Sequence, residues 1–221
     1  MHHVIKLSDS DHIASGGERD VYQHPSDPTK LLKVLRNIEN QRIRFTFRDI
    51  STWLFPDARL RLIRKEYDEY LRIRLRYPAP QMRLPITHLY GLAPTNRGLA
   101  CVAERVSGAQ GGVGETMRTL IQEGRFTENE LGLFNVFVKQ IYTLGIRAGD
   151  LKPHNLVFGY RDAGYECVLV DGFGDVHALP VRSIGRWANA IGLHDSFKII
   201  AKRTGLRWDR NKRSFQLAAG E

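Results

Sequence analysis

The sequence predicts an α+β fold with its β-rich part first. Three observations carry that reading. Short strand-like runs separated by glycine and proline turns crowd residues 13–35 and recur before residue 104. A capping box at residues 127–130 then opens a run of apolar residues at helical spacing. Strands early and helices late define the class. At 221 residues, 42% hydrophobic and 26% charged, the chain has globular composition and enough length for one domain or two small lobes.

Taken in order, residues 13–35 read as strand, glycine turn, strand, turn (His24-Pro25-Ser26-Asp27-Pro28) and a third strand holding Leu31-Leu32-Lys33-Val34-Leu35. Residues 57–76 predict a helix with Leu60, Ile63, Tyr67, Tyr70, Leu71 and Arg74 on one side. Two more short strands are expected near 88–92 and 99–103. The glycine-rich stretch 108–114 is where one lobe gives way to the next. One domain over 1–221 therefore divides into an N-lobe of about 1–104 and a C-lobe of about 105–221.

In the C-lobe, Thr127 caps a helix with Glu130 reaching back to it. Leu131, Phe134, Phe137, Val138, Ile141 and Leu144 make its buried face, and Gly145 stops it. Strands follow at 156–158 and 167–170, joined through a turn at 160–164. Residues 182–207 read as two short basic amphipathic helices around Trp187, Ile191, Phe197, Ile200 and Ala201, packed as a lid under this lobe.

No apolar run approaches the ~20 residues of a membrane span. The start, Met-His-His-Val-Ile-Lys-Leu-Ser, lacks the long apolar core of a secretory signal. Cys101 and Cys167, the two cysteines, sit in apolar runs and are expected as buried free thiols in a reducing cytoplasm. The eight histidines show no metal-ligand spacing, and His154 is given no role.

The formal charge is +9, and residues 36–76 hold eleven Arg or Lys against six acids. Such a face is either solvated or attracts phosphate-bearing partners. Peripheral contact with the inner face of an anionic membrane stays open. Nucleic-acid binding has only the charge behind it.

The chemistry concentrates in Gly149-Asp150-Leu151-Lys152-Pro153-His154-Asn155, which runs straight into Leu156-Val157-Phe158. A polar cluster just before a strand sits on a loop that a sheet holds in place. Asp171 ends an apolar strand and precedes Gly172, so its carboxylate emerges where the backbone can turn sharply. Asn155 and Asp171, at the ends of paired strands, are candidate ligands of one Mg²⁺, a hard cation that takes oxygen donors and substrate phosphates. Asp150 is then placed to accept the proton of an attacking hydroxyl. Lys152 is placed to neutralise charge on the moving phosphoryl group.

Asp150-x-Lys152-x-x-Asn155 resembles the catalytic loop of eukaryotic-like protein kinases, and Val170-Asp171-Gly172-Phe173 a variant of their metal motif with an extra glycine. Leu32-Lys33-Val34 resembles the strand bearing their ATP-binding lysine. Residues 15–22, with Gly16, Gly17 and Val21, resemble a degraded glycine-rich loop. The resemblance implies ATP and Mg²⁺ as cofactors and Glu66, or second Glu69, as the helix partner of Lys33. It also implies that Glu104-Arg105-Val106 is a hinge bonding adenine through the backbone at Glu104 and Val106. The implied architecture is a minimal kinase-like two-lobe fold with a truncated helical C-lobe.

More narrowly, Ile5-Lys6-Leu7-Ser8, Val21-Tyr22-Gln23-His24-Pro25 and the tail Leu179-Pro180…Arg186-Trp187 resemble the small bacterial kinase-like family called PhoP regulatory network protein YrbL. Departures from the kinase pattern are specific. Ala14 and Arg19 stand where glycines belong, and Ala148-Gly149 replace the His-Arg before the catalytic Asp. The stretch after Asp175 has no Ala-Pro-Glu and no room for a peptide-docking subdomain. Two readings follow. One is a phosphotransferase acting on a compact hydroxyl such as a sugar or glycolipid, and the other a regulatory protein that binds nucleotide or a partner without turnover.

Overall fold

Turn chemistry organises the first hundred residues. In a computed structural model, which describes residues 4–16, 19–36, 58–79, 81–162, 164–174 and 185–217, strands β1 (His12–Ser15), β2 (Arg19–Gln23), β3 (Lys30–Leu35), β4 (Leu89–Thr95) and β5 (Gly98–Glu104) form one antiparallel sheet in the order β1-β2-β3-β5-β4. The β2–β3 turn is closed by Asp27, whose carboxylate accepts from the Thr29 amide at 3.0 Å and pairs with Lys30 Nζ at 2.8 Å. Alternation along β3 sends Leu32 and Val34 into a core with Leu7, Tyr22 and Ala100, while Lys33 takes the other face.

The chain divides into two compact units, Met1–Arg64 with His88–Arg105, and Lys65–Thr87 with Val106–Glu221. The first is built on this sheet. The second holds a three-stranded sheet, β6 (Glu115–Thr116), β7 (Leu156–Arg161) and β8 (Gly164–Leu169), in the order β6-β7-β8. It also holds the helices α2 (Met117–Gln122), α3 (Glu128–Leu144) and α4 (Arg186–Thr204).

Helix α1 (Ala58–Arg76) was expected at 57–76, but its buried side differs from the apolar pattern. Ile63, Glu66, Glu69, Tyr70 and Ile73 are buried, whereas Leu71 is 52% exposed. Ile63 and Tyr70 are buried as expected, but the face is interrupted by two glutamates, so hydrophobicity alone sets it part of a turn away. Two of its arginines, Arg72 and Arg74, turn partly inward. Arg72 bonds Glu69 and the Gly145 carbonyl, and Arg74 donates to the Met82 carbonyl at 3.0 Å. Among the basic positions read from the sequence, 42, 44 and 48, and the side chains at 59 and 61, lie outside the described residues.

Helix α3 follows its sequence pattern. The Thr127 hydroxyl accepts from the Asn129 amide at 3.3 Å, and Glu130 returns a carboxylate to the Thr127 amide at 3.0 Å. All six expected apolar residues are buried, and Gly145 ends the helix in the left-handed conformation (φ 63°) that costs glycine little. Phe134 meets Phe197 and Phe215 edge-on or tilted, and each fully buried ring contributes about 2–3 kcal/mol.

The C-terminal region differs from expectation. A single helix, α4, occupies 186–204 in place of two short ones, and Trp187 and Ile191 lie on its exposed side. Ala188, Leu193, Phe197 and Ile200 are the apolar residues it buries. A hairpin of β9 (Arg207–Asp209) and β10 (Ser214–Gln216) follows, which the polar sequence conceals. Asn135 on α3 fixes it by donating to the Phe215 carbonyl (3.0 Å) and accepting the Phe215 amide (2.7 Å). No helix among the described residues is long and apolar enough to cross a membrane.

Candidate functional site

The second unit places the predicted catalytic loop against the segment that follows β8. The two run side by side. Asp150 N donates to Gly172 O (3.0 Å), Gly149 N to Gly174 O (3.0 Å), and Gly174 N to Arg147 O (2.8 Å). The loop closes on itself through Asn155 N to Lys152 O, and Val170 N donates to Asn155 O, both at 2.9 Å. Asp150, Lys152, Asn155 and Asp171 are therefore brought together by backbone bonds and not by chance side-chain proximity.

Within this frame Asn155 is buried. Its amide donates to the Asp150 carbonyl at 2.9 Å, with the Asp150 carboxylate at 3.5 Å. Lys152 Nζ lies 2.5 Å from Asp150 Oδ1, and both side chains are half-open to solvent. Asp171 Oδ1 accepts the Gly172 amide at 2.7 Å. Gly172 has φ 78°, and a Cβ there would stand 2.7 Å from Asp150 O and 3.0 Å from Asn155 Nδ2. Only glycine lets the two segments approach this closely.

The helix glutamates divide their work. Glu66, almost fully buried, accepts the Gly172 amide at 3.4 Å, a long bond that ties α1 to the segment carrying Asp171. Glu69 is committed elsewhere: Arg72 contacts it through Nε (2.9 Å) and Nη2 (2.6 Å), and the Arg147 amide donates to it at 2.7 Å. Glu69 thus holds the backbone that leads into residues 149–155, and of the two glutamates Glu66 is the one bonded beside Asp171.

In the first unit, Lys33 is buried at the middle of the sheet, with Val21 and Cys101 as its register partners on β2 and β5. Gly16 closes the β1–β2 turn by donating to the Arg19 carbonyl at 2.8 Å. Gly17 lies outside the described residues. Asp20 gathers that turn, accepting from Ser15 (2.7 Å) and Arg36 (2.8 Å). Burial works against ionisation of Asp20, but these bonds prevail and hold its carboxyl below the usual range. Arg19 is buried where a third glycine was expected.

Glu104 N donates to His88 O at 2.9 Å and Arg105 N to Thr29 O at 2.8 Å, so these two amides serve the sheet. Val106, in the second unit, is buried with Val157 and Val168, and its carbonyl accepts the Gly114 amide at 2.8 Å.

Among the described residues no group of three or more His, Cys, Asp or Glu converges as a metal site. The donor set at the loop is one carboxylate, Asp171, and one amide, Asn155. With Nδ2 turned to Asp150, the Asn155 amide retains its oxygen for a cation. One carboxylate and one neutral oxygen fit Mg²⁺, which keeps waters and shares substrate phosphates. His154 is depressed below the ordinary imidazole range first by burial and next by the Lys152 charge; Asp150 opposes this, and Arg118 and Arg203 add to it.

Residues 5–205 match the family described as PhoP regulatory network protein YrbL. The chain belongs to this family. Among solved structures it is similar to the kinase domain of Mycobacterium tuberculosis PknI in a double-mutant form, at 17% identity over 96% of this chain and 80% of that one, with a TM-score of 0.45. It is also similar to Rad53 1–466 in complex with AMP-PNP, at 16% identity over 86% of this chain and 46% of that one, with a TM-score of 0.46. No curated protein matches the chain.

Proposed function

We propose that this member of the YrbL family is an ATP- and Mg²⁺-dependent phosphotransferase with a compact hydroxyl acceptor, a sugar or glycolipid. The observation behind this reading is the paired backbone of residues 147–150 and 172–174, which brings the Asp150 carboxylate, with Lys152 and the Asn155 amide beside it, to the segment that carries Asp171. In this reading Asn155 and Asp171 hold Mg²⁺, which supplies charge neutralisation to the phosphates. Lys33, Gly16, Gly17 and Val21 of the first unit, with Glu104 and Val106, serve the nucleotide.

Asp150 accepts the proton of the acceptor hydroxyl as its oxygen bonds the γ-phosphorus. The bond from that phosphorus to the bridging oxygen breaks, and the electron pair leaves with ADP. Lys152 offsets charge on the oxygens in transit. Glu66 is a positioning residue here, holding the Gly172 amide.

The regulatory alternative has its own support. The buried Arg19 at a glycine-loop position departs from a loop that would wrap phosphates through bare backbone. Substitution of Asp150 separates the two readings. Asp150→Ala should leave ATP affinity nearly unchanged while γ-phosphate transfer falls by about 10²–10⁴-fold, the range for loss of a general base. The assay is transfer of radiolabelled γ-phosphate to purified glycolipid, cell extract or water. Equal incorporation by parent and variant removes Asp150 from the chemistry. A parent that binds ATP and labels no acceptor favours the regulatory protein.

A further inference from the structure

Beside the catalytic loop the second unit opens a cleft of about 360 Å³ that the reaction above does not use. Arg118 and Gln122 reach it from α2, His154 from the loop itself, and Arg203 and Thr204 from the end of α4, over an apolar floor of Ile121 and Pro153. Among the described residues no acidic side chain lines it. Arg118 N donates to Pro153 O at 3.2 Å, so the backbone of Arg118 is tied to the loop, one residue from Lys152 and three from Asp150.

The two arginines are exposed and face the same cleft. Arg72, Arg83, Arg97 and Arg125 all pair with carboxylates. Among the described residues Arg118 and Arg203 pair with none, yet they arrive at one cleft from separate helices. Like charges facing one cleft repel, and both arginines act on His154 there, where Asp150 opposes them. An anion in the cleft relieves that repulsion. Guanidinium forks match the oxygens of phosphate better than any other common group. The volume suits a small ligand and not an extended chain.

We propose that this cleft binds a phosphate monoester carried by the acceptor, so that the acceptor is an already phosphorylated sugar or lipid headgroup. The inference rests on the phosphotransferase reading only for the word acceptor; the anion site stands on the cleft itself.

Calorimetry on the full chain without nucleotide tests it, using glucose 6-phosphate, short-chain phosphatidic acid and unphosphorylated glucose as probes. The parent should bind at least one phosphate-bearing probe and not glucose. Preference between the two phosphate probes identifies a soluble or a lipid source. Arg118→Ala and Arg203→Ala should each weaken that binding by about tenfold, the loss of one charge-assisted contact, with Arg203→Lys intermediate. ATP affinity and thermal unfolding should match the parent in all three variants.

Failure to bind any phosphate-bearing probe, or equal affinity in parent and alanine variants, overturns the proposal. A matching loss of ATP affinity overturns the assignment to the acceptor. Phosphate binding that depends on both arginines, in a protein that transfers no label, sustains the cleft and removes the phosphotransferase reading. Label transfer with unaltered phosphate affinity in the variants does the reverse.

Discussion

Gly172→Ala should damage the site through geometry alone. The residue stands at φ 78°, and an added Cβ would meet Asp150 O at 2.7 Å, Asp150 Cβ at 2.9 Å and Asn155 Nδ2 at 3.0 Å. Left-handed backbone costs a residue with a Cβ about 1–2 kcal/mol. Crowding costs a further ~1–3 kcal/mol, and here the nearest atom is a backbone carbonyl that no rotamer change can move. The expected loss is thus about 2–5 kcal/mol in chemical denaturation. Gly145→Ala provides the control, because Gly145 also has positive φ (63°) but its Cβ would meet nothing within 4 Å. That variant should lose only the conformational part, about 1–2 kcal/mol. A thermal-shift titration with Mg²⁺ and ATP should also show a weaker response in Gly172→Ala than in Gly145→Ala. Equal destabilisation of the two variants would refute the close-approach argument, and with it the claim that glycine sets the spacing of Asp150 and Asn155.

Lys33→Met keeps the apolar stem and removes the ammonium, so ATP affinity measured by calorimetry should fall about ten- to hundredfold while the fold survives. Glu69→Ala leaves Arg72 and the Arg147 amide without their shared carboxylate, and denaturation should show a loss of about 2–4 kcal/mol, less for Glu69→Gln. Glu130 gives a pH dependence. Burial opposes its ionisation, but bonds from Thr127 and Asn129 outweigh burial and lower its carboxyl below the usual 4.5. The folded state therefore binds its proton less readily than the unfolded one. This stability is present above pH 4.5 and is lost as pH falls through the lowered value. Thr127→Ala should flatten that acid limb and cost about 1 kcal/mol at neutral pH, read from denaturation midpoints across pH.

Much of this architecture was legible because local signals agreed with tertiary ones. Thr127, Glu130 and Gly145 mark both ends of α3, and its six apolar residues fall at helical spacing. The positions of the first five strands along the chain likewise followed from turn residues. Two places misled. The buried side of α1 carries Glu66 and Glu69, and their partners, the amides of Gly172 and Arg147, are about eighty to a hundred residues away in sequence. No local pattern encodes a carboxylate buried for a distant amide. The β9–β10 hairpin hides for the same reason: its anchor is the Asn135 amide on α3. The candidate site was legible as residue types, since Asp150, Lys152, Asn155 and Asp171 stood out by spacing. The depth of the Gly172 contact and the convergence of Arg118 and Arg203 depend on tertiary placement.

The two cysteines carry a practical consequence. Cys101 is fully buried in β5 of the first unit, and Cys167 is buried in β8 of the second. Burial pushes the Cys167 thiol well above its ordinary range, so in the native protein it is a poor nucleophile. A thiol reagent must wait for the surrounding sheet to open before it reacts. Each unit thus contains its own clock for transient opening, already installed and silent until the strands part. Cys101→Ser and Cys167→Ser chains, each with one thiol left, turn labelling rate into a separate reading of each unit. Added nucleotide or sugar phosphate would then report which half of the molecule it quiets.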